Sequence, residues 1–387
     1  MKFLHLADLH IGKSIKEFDL IDDQRYILNK IVMIAEEEKA DAVVIAGDVY
    51  DRAVPSEEAV RVFDDFIYAL SSLHIKILLI SGNHDSDERL NFGSRLFEDT
   101  GVYFCTKFNG SLKKVVLQDK EQNRYNFYLL PFVKASQVRH FYPDEKIDDY
   151  EDAVRTVIEH ADINKDEINV IVSHQFVTGR SDSVEFSGSE GLGTINVGLV
   201  EQISCSCFDD FDYAALGHIH KAQSVGRETI RYAGTPLKYH FEEVNDLKSV
   251  PVVSLGKEKG DISISFRELK PKRDMKAIKG KLEQLIGGKY GMISNDYIYV
   301  TLTDENPIED AMNIMRQYYP NTLQIRYENS HTKALSAVNE IKMPDSKDFS
   351  ELFSDFYNLM YGIDASEEEM ELINLAAKKA GIVNETD

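Results

Sequence analysis

The chain has 387 residues, 43% hydrophobic and 28% charged, which suits a globular protein of more than one domain and excludes a disordered or fibrous one. No apolar run approaches a membrane span, and MKFLHLADLH lacks the long apolar stretch and small-residue cleavage site of a signal peptide, so the expectation is a cytoplasmic, nucleoid-associated protein with no membrane contact. A formal net charge of −22 argues against a freestanding nucleic-acid binder, since Lys and Arg are what hold a polyanion.

In chain order, Phe3 to Ala7 reads as a short buried strand, and Ile27, Ile31, Ile34 and Ala35 as one face of a helix. Ala42 to Ala46 and Ile75 to Ile80 are further buried strands. Between them Pro55 and Ser56 open a helix carrying Val60, Phe63, Ile67 and Leu70. Near-continuous apolar strands separated by amphipathic helices imply parallel strands covered on both faces. Later strands fall at Phe127–Leu130, Ile168–Val172 and Tyr213–Leu216. Val252–Leu255 and Ile262–Phe266 follow close together, as in an antiparallel meander. The expected fold is α/β, a β-sandwich flanked by helices over residues 1–270.

Pro271, with Lys270, Lys272 and Arg273, marks a boundary. Beyond it a helix (Ala277–Ile286), a strand (Tyr297–Leu302), a helix (Ile308–Tyr318) and a strand (Leu323–Tyr327) predict a small α+β domain over residues 271–343. Residues 344–387 predict an acidic helical tail. Phe349, Leu352, Phe353, Phe356 and Met360 share one helix face, and Met370, Ile373, Ala377 and Ala380 suggest a second helix. Such helices either pack on their own chain or dock another subunit. Cys105, Cys205 and Cys207 cannot build a disulfide framework and read as buried thiols in a reducing compartment.

The chemistry gathers where strands end. Asp8 and His10 follow the first strand, Asp48 the second and Asn83-His84 the third. His174 follows Ile168–Val172, and His218 and His220 follow Tyr213–Leu216. In open α/β sheets ligands collect outside these strand ends, so the clusters converge on one rim. Carboxylate, imidazole and carboxamide suit Mn²⁺, Fe or Zn²⁺, and the lack of Cys excludes a thiolate zinc site. A lone histidine beside a strand is ordinarily core or surface; these clusters, in order and each after a strand, are not. Arg52, Arg89, Arg95, Lys107, Lys113, Lys114 and Arg139 are candidate phosphate contacts, or plain solvated surface.

Asp8-x-His10, Gly47-Asp48-x-x-Asp51-Arg52, Gly82-Asn83-His84-Asp85, His174 and Gly217-His218-x-His220 resemble the calcineurin-like metallophosphoesterase superfamily. GNHDSDERLNFGSRL (82–96), SHQFVTG (173–179) and the stretch from ALGHIHKAQSVG to IRYAGTPLKYHF (215–241) resemble, within it, the bacterial nuclease subunits that work with an SbcC-type ATPase. That resemblance implies two divalent cations, Mn²⁺ first and Mg²⁺ as the alternative. Asp8, His10, Asp48 and His220 would hold one cation, and Asp48, Asn83, His174 and His218 the other. His84 would be the catalytic imidazole at the leaving oxygen, with Asp51 orienting it as in the phosphatase arrangement.

It further implies a DNA nuclease, a double-strand 3′–5′ exonuclease and single-strand or hairpin endonuclease acting in end processing, repair and recombination. The α+β domain would cap the site and the tail would bind the ATPase subunit. A homodimer would form through the helices after Asp19 and after Arg52, giving a heterotetramer. A phosphatase or cyclic-nucleotide phosphodiesterase of the same superfamily is the competing reading. A noncatalytic scaffold is a third, and the filled ligand positions count against it.

Overall fold

A computed structural model describes residues 1–179, 184–188, 202–287, 294–330, 349–350, 352–354, 357 and 366–379. The chain divides into two compact units, Met1–Met275 and Lys276–Asp387.

The first unit begins with β1 (Lys2–Leu6), α1 (Ile21–Glu37), β2 (Ala42–Ala46), α2 (Glu57–Ser72), β3 (Lys76–Ile80) and β4 (Val102–Cys105). Then come β5 (Lys113–Gln118), β6 (Arg124–Leu130), α3 (Ala135–Phe141), α4 (Tyr150–Glu159), β7 (Ile168–Ser173), β8 (Tyr213–Leu216), β9 (Gln223–Val225), β10 (Arg227–Tyr232), β11 (Ser249–Leu255) and β12 (Ile262–Glu268). They build two six-stranded sheets, in the orders β12-β11-β1-β2-β3-β4 and β9-β10-β8-β7-β6-β5. Each has a parallel centre, β1 to β4 in one and β6, β7, β8 and β10 in the other. Antiparallel strands finish the edges, β11 and β12 on one sheet and β5 and β9 on the other. This is the expected α/β sandwich.

The period-two alternation of the strands decides what fills the centre. Phe3, Val44 and Leu78 from one sheet and Phe127, Val170 and Ala215 from the other form one buried cluster. Phe3 stands edge-on to Phe127 and to Tyr213, ring centroids 5.6 Å apart in both cases. Such pairs contribute about 0.5–1.5 kcal/mol beyond their area. Because alternate residues such as Leu4, Val43 and Ile77 are also fully buried, the central strands need cover on both faces. On the second sheet that cover includes Ala153, Val154 and Val157 of α4, packed with Ile171 and Ala214. Helix α2 opens at Ser56, whose side chain accepts the Ala59 N–H, with Glu57 and Glu58 in its first turn.

His5 is the polar exception in this interior. Leu216 O can only accept, so His5 Nε2 donates to it at 3.2 Å and Nδ1 accepts from the Tyr213 hydroxyl at 3.1 Å, which requires the neutral ring. Burial, reinforced by Arg231, pushes the His5 pKa down to about 3. The unfolded chain therefore takes up a proton that the folded one refuses, and the contribution is complete above about pH 6.5 and declines as pH falls toward 3. His5→Asn is expected to lower stability at pH 7, with the gap to wild type narrowing as pH drops to 5. Urea unfolding at both pH values measures it, and a gap that does not change with pH contradicts the assignment.

The second unit holds β13 (Met275–Gly280, begun at the last residue of the first unit), α5 (Leu282–Gly287), β14 (Tyr297–Leu302), α6 (Ala311–Tyr318), β15 (Thr322–Tyr327) and α7 (Glu367–Lys379). Its sheet order is β13-β14-β15, with β14 and β15 parallel, over a core that includes Leu285, Ile298, Val300, Met315 and Tyr319. The helix expected over Ala277–Ile286 is instead a strand followed by one short helix. Gly280 is a poor helix residue, and the edge of β14 offers a pairing partner that outweighs local preference. Of the tail, the stretch through Phe356 and Met360 lies largely outside the described residues. Among those described, no helix is long and apolar enough to cross a membrane.

Candidate metal centre

The loops after β1 and β2 continue side by side beyond their strands. Asp8 N–H donates to Gly47 O (3.1 Å), His10 N–H to Asp48 O (3.0 Å) and Ile11 N–H to Val49 O (2.8 Å). Asp8, His10 and Asp48 take left-handed backbone at φ 51°, 44° and 49°, and His218 lies at φ 95°. Non-glycine residues persist there only where the surroundings over-determine them, and such residues cluster at functional sites. Two glycines permit the close approach of the loops. A Cβ on Gly47, at φ 86°, would run into the His174 ring, and one on Gly82 would run into the Asp48 carboxylate. Behind His10, Gln24 of α1 donates to His10 O at 2.7 Å and accepts Gly12 N–H at 2.8 Å, while the Tyr239 hydroxyl donates to Leu9 O at 2.7 Å.

These loops bring together the side chains the sequence singled out. His10 Nε2 and His220 Nε2 lie 3.0 Å apart. Asp48 Oδ2 is 3.7 Å from His10 Nε2 and 3.4 Å from His174 Nε2. Asn83 Oδ1 is 3.2 Å from His174 Nε2 and 3.1 Å from His218 Nδ1. Asp8 accepts the His218 N–H on both oxygens, at 3.0 and 3.1 Å. Three overlapping sets have donor atoms close enough to share an ion: Asp8, His10 and His220; His10, Asp48 and His84; and Asp8, Asp48 and His174. Asp8, His10, Asp48, His174, His218 and His220 are buried, while Asn83 and His84 are open to solvent.

The electrostatics suit cations. Burial pushes the pKa of His10 and of His218 down to about 3 and holds His220 well below its usual value, so these imidazoles keep lone pairs to give. His10 Nε2 and His218 Nδ1 face the other donors, while His10 Nδ1 and His218 Nε2, on the far side of each ring, are buried without a hydrogen-bond partner. Burial alone would raise the Asp48 pKa, but His174, then His10, keeps it well below the carboxylate range. Burial likewise opposes a charge on His174, yet Asp48 and Asp8 lift its pKa to about 9. Its Nδ1 donates to Ala46 O at 2.7 Å, which orients Nε2 toward the carboxylates.

His84 stands over this group, its ring 5.0 Å from that of His10 and nearly perpendicular to it. Its N–H donates to Asp48 Oδ1 at 2.9 Å, and its Nδ1 donates to the main-chain carbonyl of Asp51 at 3.1 Å. The expected carboxylate contact from Asp51 is thus replaced by a backbone one. The Asp51 carboxylate instead receives Lys13 Nζ at 2.8 Å and lies 3.7 Å from His10 Nδ1, so Lys13 has claimed it. Sequence reasoning also passed over Asp85, the last residue of Gly82-Asn83-His84-Asp85. Buried, it accepts N–H groups of Val49 (3.1 Å), Tyr50 (3.0 Å) and Gly82 (3.0 Å), tying the β2 loop to the β3 loop. Hydrogen bonds to a charged group contribute about 1.5–3 kcal/mol each. Burial, with Asp48 nearby, still raises its pKa to about 6. Gln24 and Tyr239 were missed as well. Of the basic candidates, Arg52, Arg89 and Arg95 are exposed, Lys107 and Lys113 pair with Glu88 and Glu98, Lys114 lies over Tyr128, and Arg139 donates to Ile147 O.

A double-sheet sandwich with carboxylate, imidazole and carboxamide donors converging at its strand ends defines a metal-dependent phosphoesterase. Residues 1–222 match the calcineurin-like phosphoesterase family, which uses divalent metals, and residues 271–361 match the family described as type 5 capsule protein repressor C-terminal domain. Over 358 residues the chain is 33% identical to the SbcD subunit of the SbcCD nuclease of Staphylococcus epidermidis, covering 91% of this chain and 92% of that one. The chain belongs to the SbcD family of calcineurin-like phosphoesterases. Among solved structures, a protein from Thermus thermophilus is 13% identical, with a TM-score of 0.38 over 68% of this chain and 98% of that one. A dimetal phosphatase from Danio rerio is also 13% identical, with a TM-score of 0.36 over 70% and 99%.

Proposed function

We propose that this chain is a two-metal DNA nuclease, an exonuclease on double strands and an endonuclease on single strands or hairpins, working with an SbcC-type ATPase in DNA end processing. The observation that carries it is the rim itself, with Asp48 within reach of both His10 and His174. The kinship to a nuclease subunit, which runs through the second unit, narrows the phosphoester to DNA. Asp8, His10, Asp48 and His220 hold one cation, and Asp48, Asn83, His174 and His218 the other. The converging ring nitrogens of His10, His174, His218 and His220 and the thiolate-free donor set fit such ions, Mn²⁺ foremost and Mg²⁺ second. Cations bound there supply charge against the phosphate oxygens and make water nucleophilic at neutral pH.

The protein's own part is to aim and protonate. Asp48 keeps His84 in place through its N–H, and the Asp51 carbonyl takes the Nδ1 proton. That leaves Nε2 to hand a proton to the departing 3′-oxygen as the P–O bond breaks, for which the ring carries protons on both nitrogens. With a net charge of −22, the chain needs a partner to bring DNA to the rim, and the tail that includes α7 is the proposed ATPase-binding element. Exposed Met33 on α1 and Val60 and Tyr68 on α2 support a homodimer through those helices. We place the assembly in the cytoplasm, at the nucleoid.

The test is cleavage of linear duplex, hairpin DNA and a small phosphodiester in Mn²⁺, with and without the ATPase. DNA cleavage that rises on adding the ATPase is expected. Hydrolysis of the small diester alone, with no DNA cut under any condition, overturns the proposal in favour of a small-molecule phosphodiesterase.

A further inference from the structure

Beside the rim, on the side of Asn83, His174 and His218, lies an open hollow of about 320 Å³ whose lining includes Asn83, Asp87, Phe132, Lys134 and Gln137. That volume sits at the low end for a ligand site, enough for one small planar group and its attachments. We infer that this hollow seats a nucleoside flanking the scissile phosphate, with its base against Phe132 and its next phosphate at Lys134; the inference rests on the nuclease reading of the rim.

Phe132 is half-buried yet fixed. Its N–H donates to Ser81 O at 3.1 Å, just past β3, and its ring lies 6.5 Å from the rings of both His218 and His174, nearly parallel to the first (19°) and edge-on to the second (80°). An aromatic face held beside a phosphoester rim suits a flat partner, and every base has a π-face to offer. Lys134 follows two residues later, exposed and in no ion pair with any described residue. In a chain this acidic that matters, because Lys107 and Lys113 nearby in sequence are already taken by Glu88 and Glu98. Gln137 Oε1 accepts the Lys134 N–H at 2.8 Å and braces the corner. The remaining wall is acidic. Asp87, whose carboxylate accepts from Ser81 Oγ at 3.3 Å, repels a phosphate but accepts from the exocyclic amino group of a base. Charge therefore sorts the ligand, base inward and phosphate outward.

The experiment compares a short single-stranded oligonucleotide with the same strand carrying abasic residues, using the full chain. kcat/KM is measured in Mn²⁺, and binding by fluorescence anisotropy in chelator. Phe132→Leu should cut the preference for base over abasic strand about tenfold, chiefly in KM and Kd, and Phe132→Trp should restore it. Lys134→Ala should weaken both strands alike and reduce the salt slope of binding by about one. An unchanged base preference in Phe132→Leu, or an unchanged salt slope in Lys134→Ala, overturns the inference. If Phe132→Leu fails to fold, Lys134→Ala decides alone. If wild type cleaves neither strand even with the ATPase added, the nuclease reading fails separately, and anisotropy still decides whether the hollow binds a nucleoside.

Discussion

His84→Ala is expected to lower DNA cleavage by about 10²–10⁴-fold while both cations remain bound, the range over which a positioned general acid acts. The separation of the two effects follows from where His84 stands. It is open to solvent, above buried donors that reach one another without it, and its links to Asp48 and Asp51 are made through its main-chain N–H and its Nδ1. Removing the ring leaves the N–H to Asp48 intact. Cleavage rates on hairpin DNA, with Mn²⁺ stoichiometry by calorimetry, test both halves. A rate equal to wild type removes His84 from the leaving-group role, and loss of a cation moves it into the ligand set.

Asp48→Asn is the complementary change and should abolish cation binding along with cleavage. Asn is nearly isosteric, tolerates left-handed backbone as Asp does, and still accepts the His84 N–H, so the change isolates charge. That charge lies within 3.7 Å of His10 and 3.4 Å of His174, closer to His174 than Asp8 comes at 4.0 Å. Outer-shell substitutions already cost 10–100-fold in metal affinity, so loss of a shared ligand should exceed about 100-fold. Wild type should also gain about 2.7 kcal/mol of stability at cation concentrations of 100 Kd, and the variant close to none. Retention by Asp48→Asn of both cations at wild-type affinity would show that Asp48 is not shared.

What could be read in advance followed from how many demands each residue answers. Ala42–Ala46 and Ile77–Ile80 are buried on both faces, so their composition betrays them without any periodicity. The donors at the strand ends were legible because few side chain types can do that work and they recur after each central strand. Arg227–Tyr232, a strand beginning Arg-Glu-Thr, was not, because its first half is partly exposed and Arg227 is held by the carbonyls of Phe208 and Phe211 far along the chain. Asp51 shows a finer limit. Sequence can bring the right residue to His84, but whether carbonyl or carboxylate turns inward depends on Lys13, 38 positions away. Asp85 stood in plain view within the motif; its role depends on N–H groups of two loops that meet only in the folded chain.

The left-handed turns at positions 8 and 48 narrow the usable alphabet there. Asp and Asn are among the few non-glycine side chains that accept this backbone readily, and of the two only Asp brings a negative charge. Glu would keep the charge while meeting a torsion it resists, with its oxygens displaced by one methylene. Conformation and coordination thus select the same letter independently at both positions.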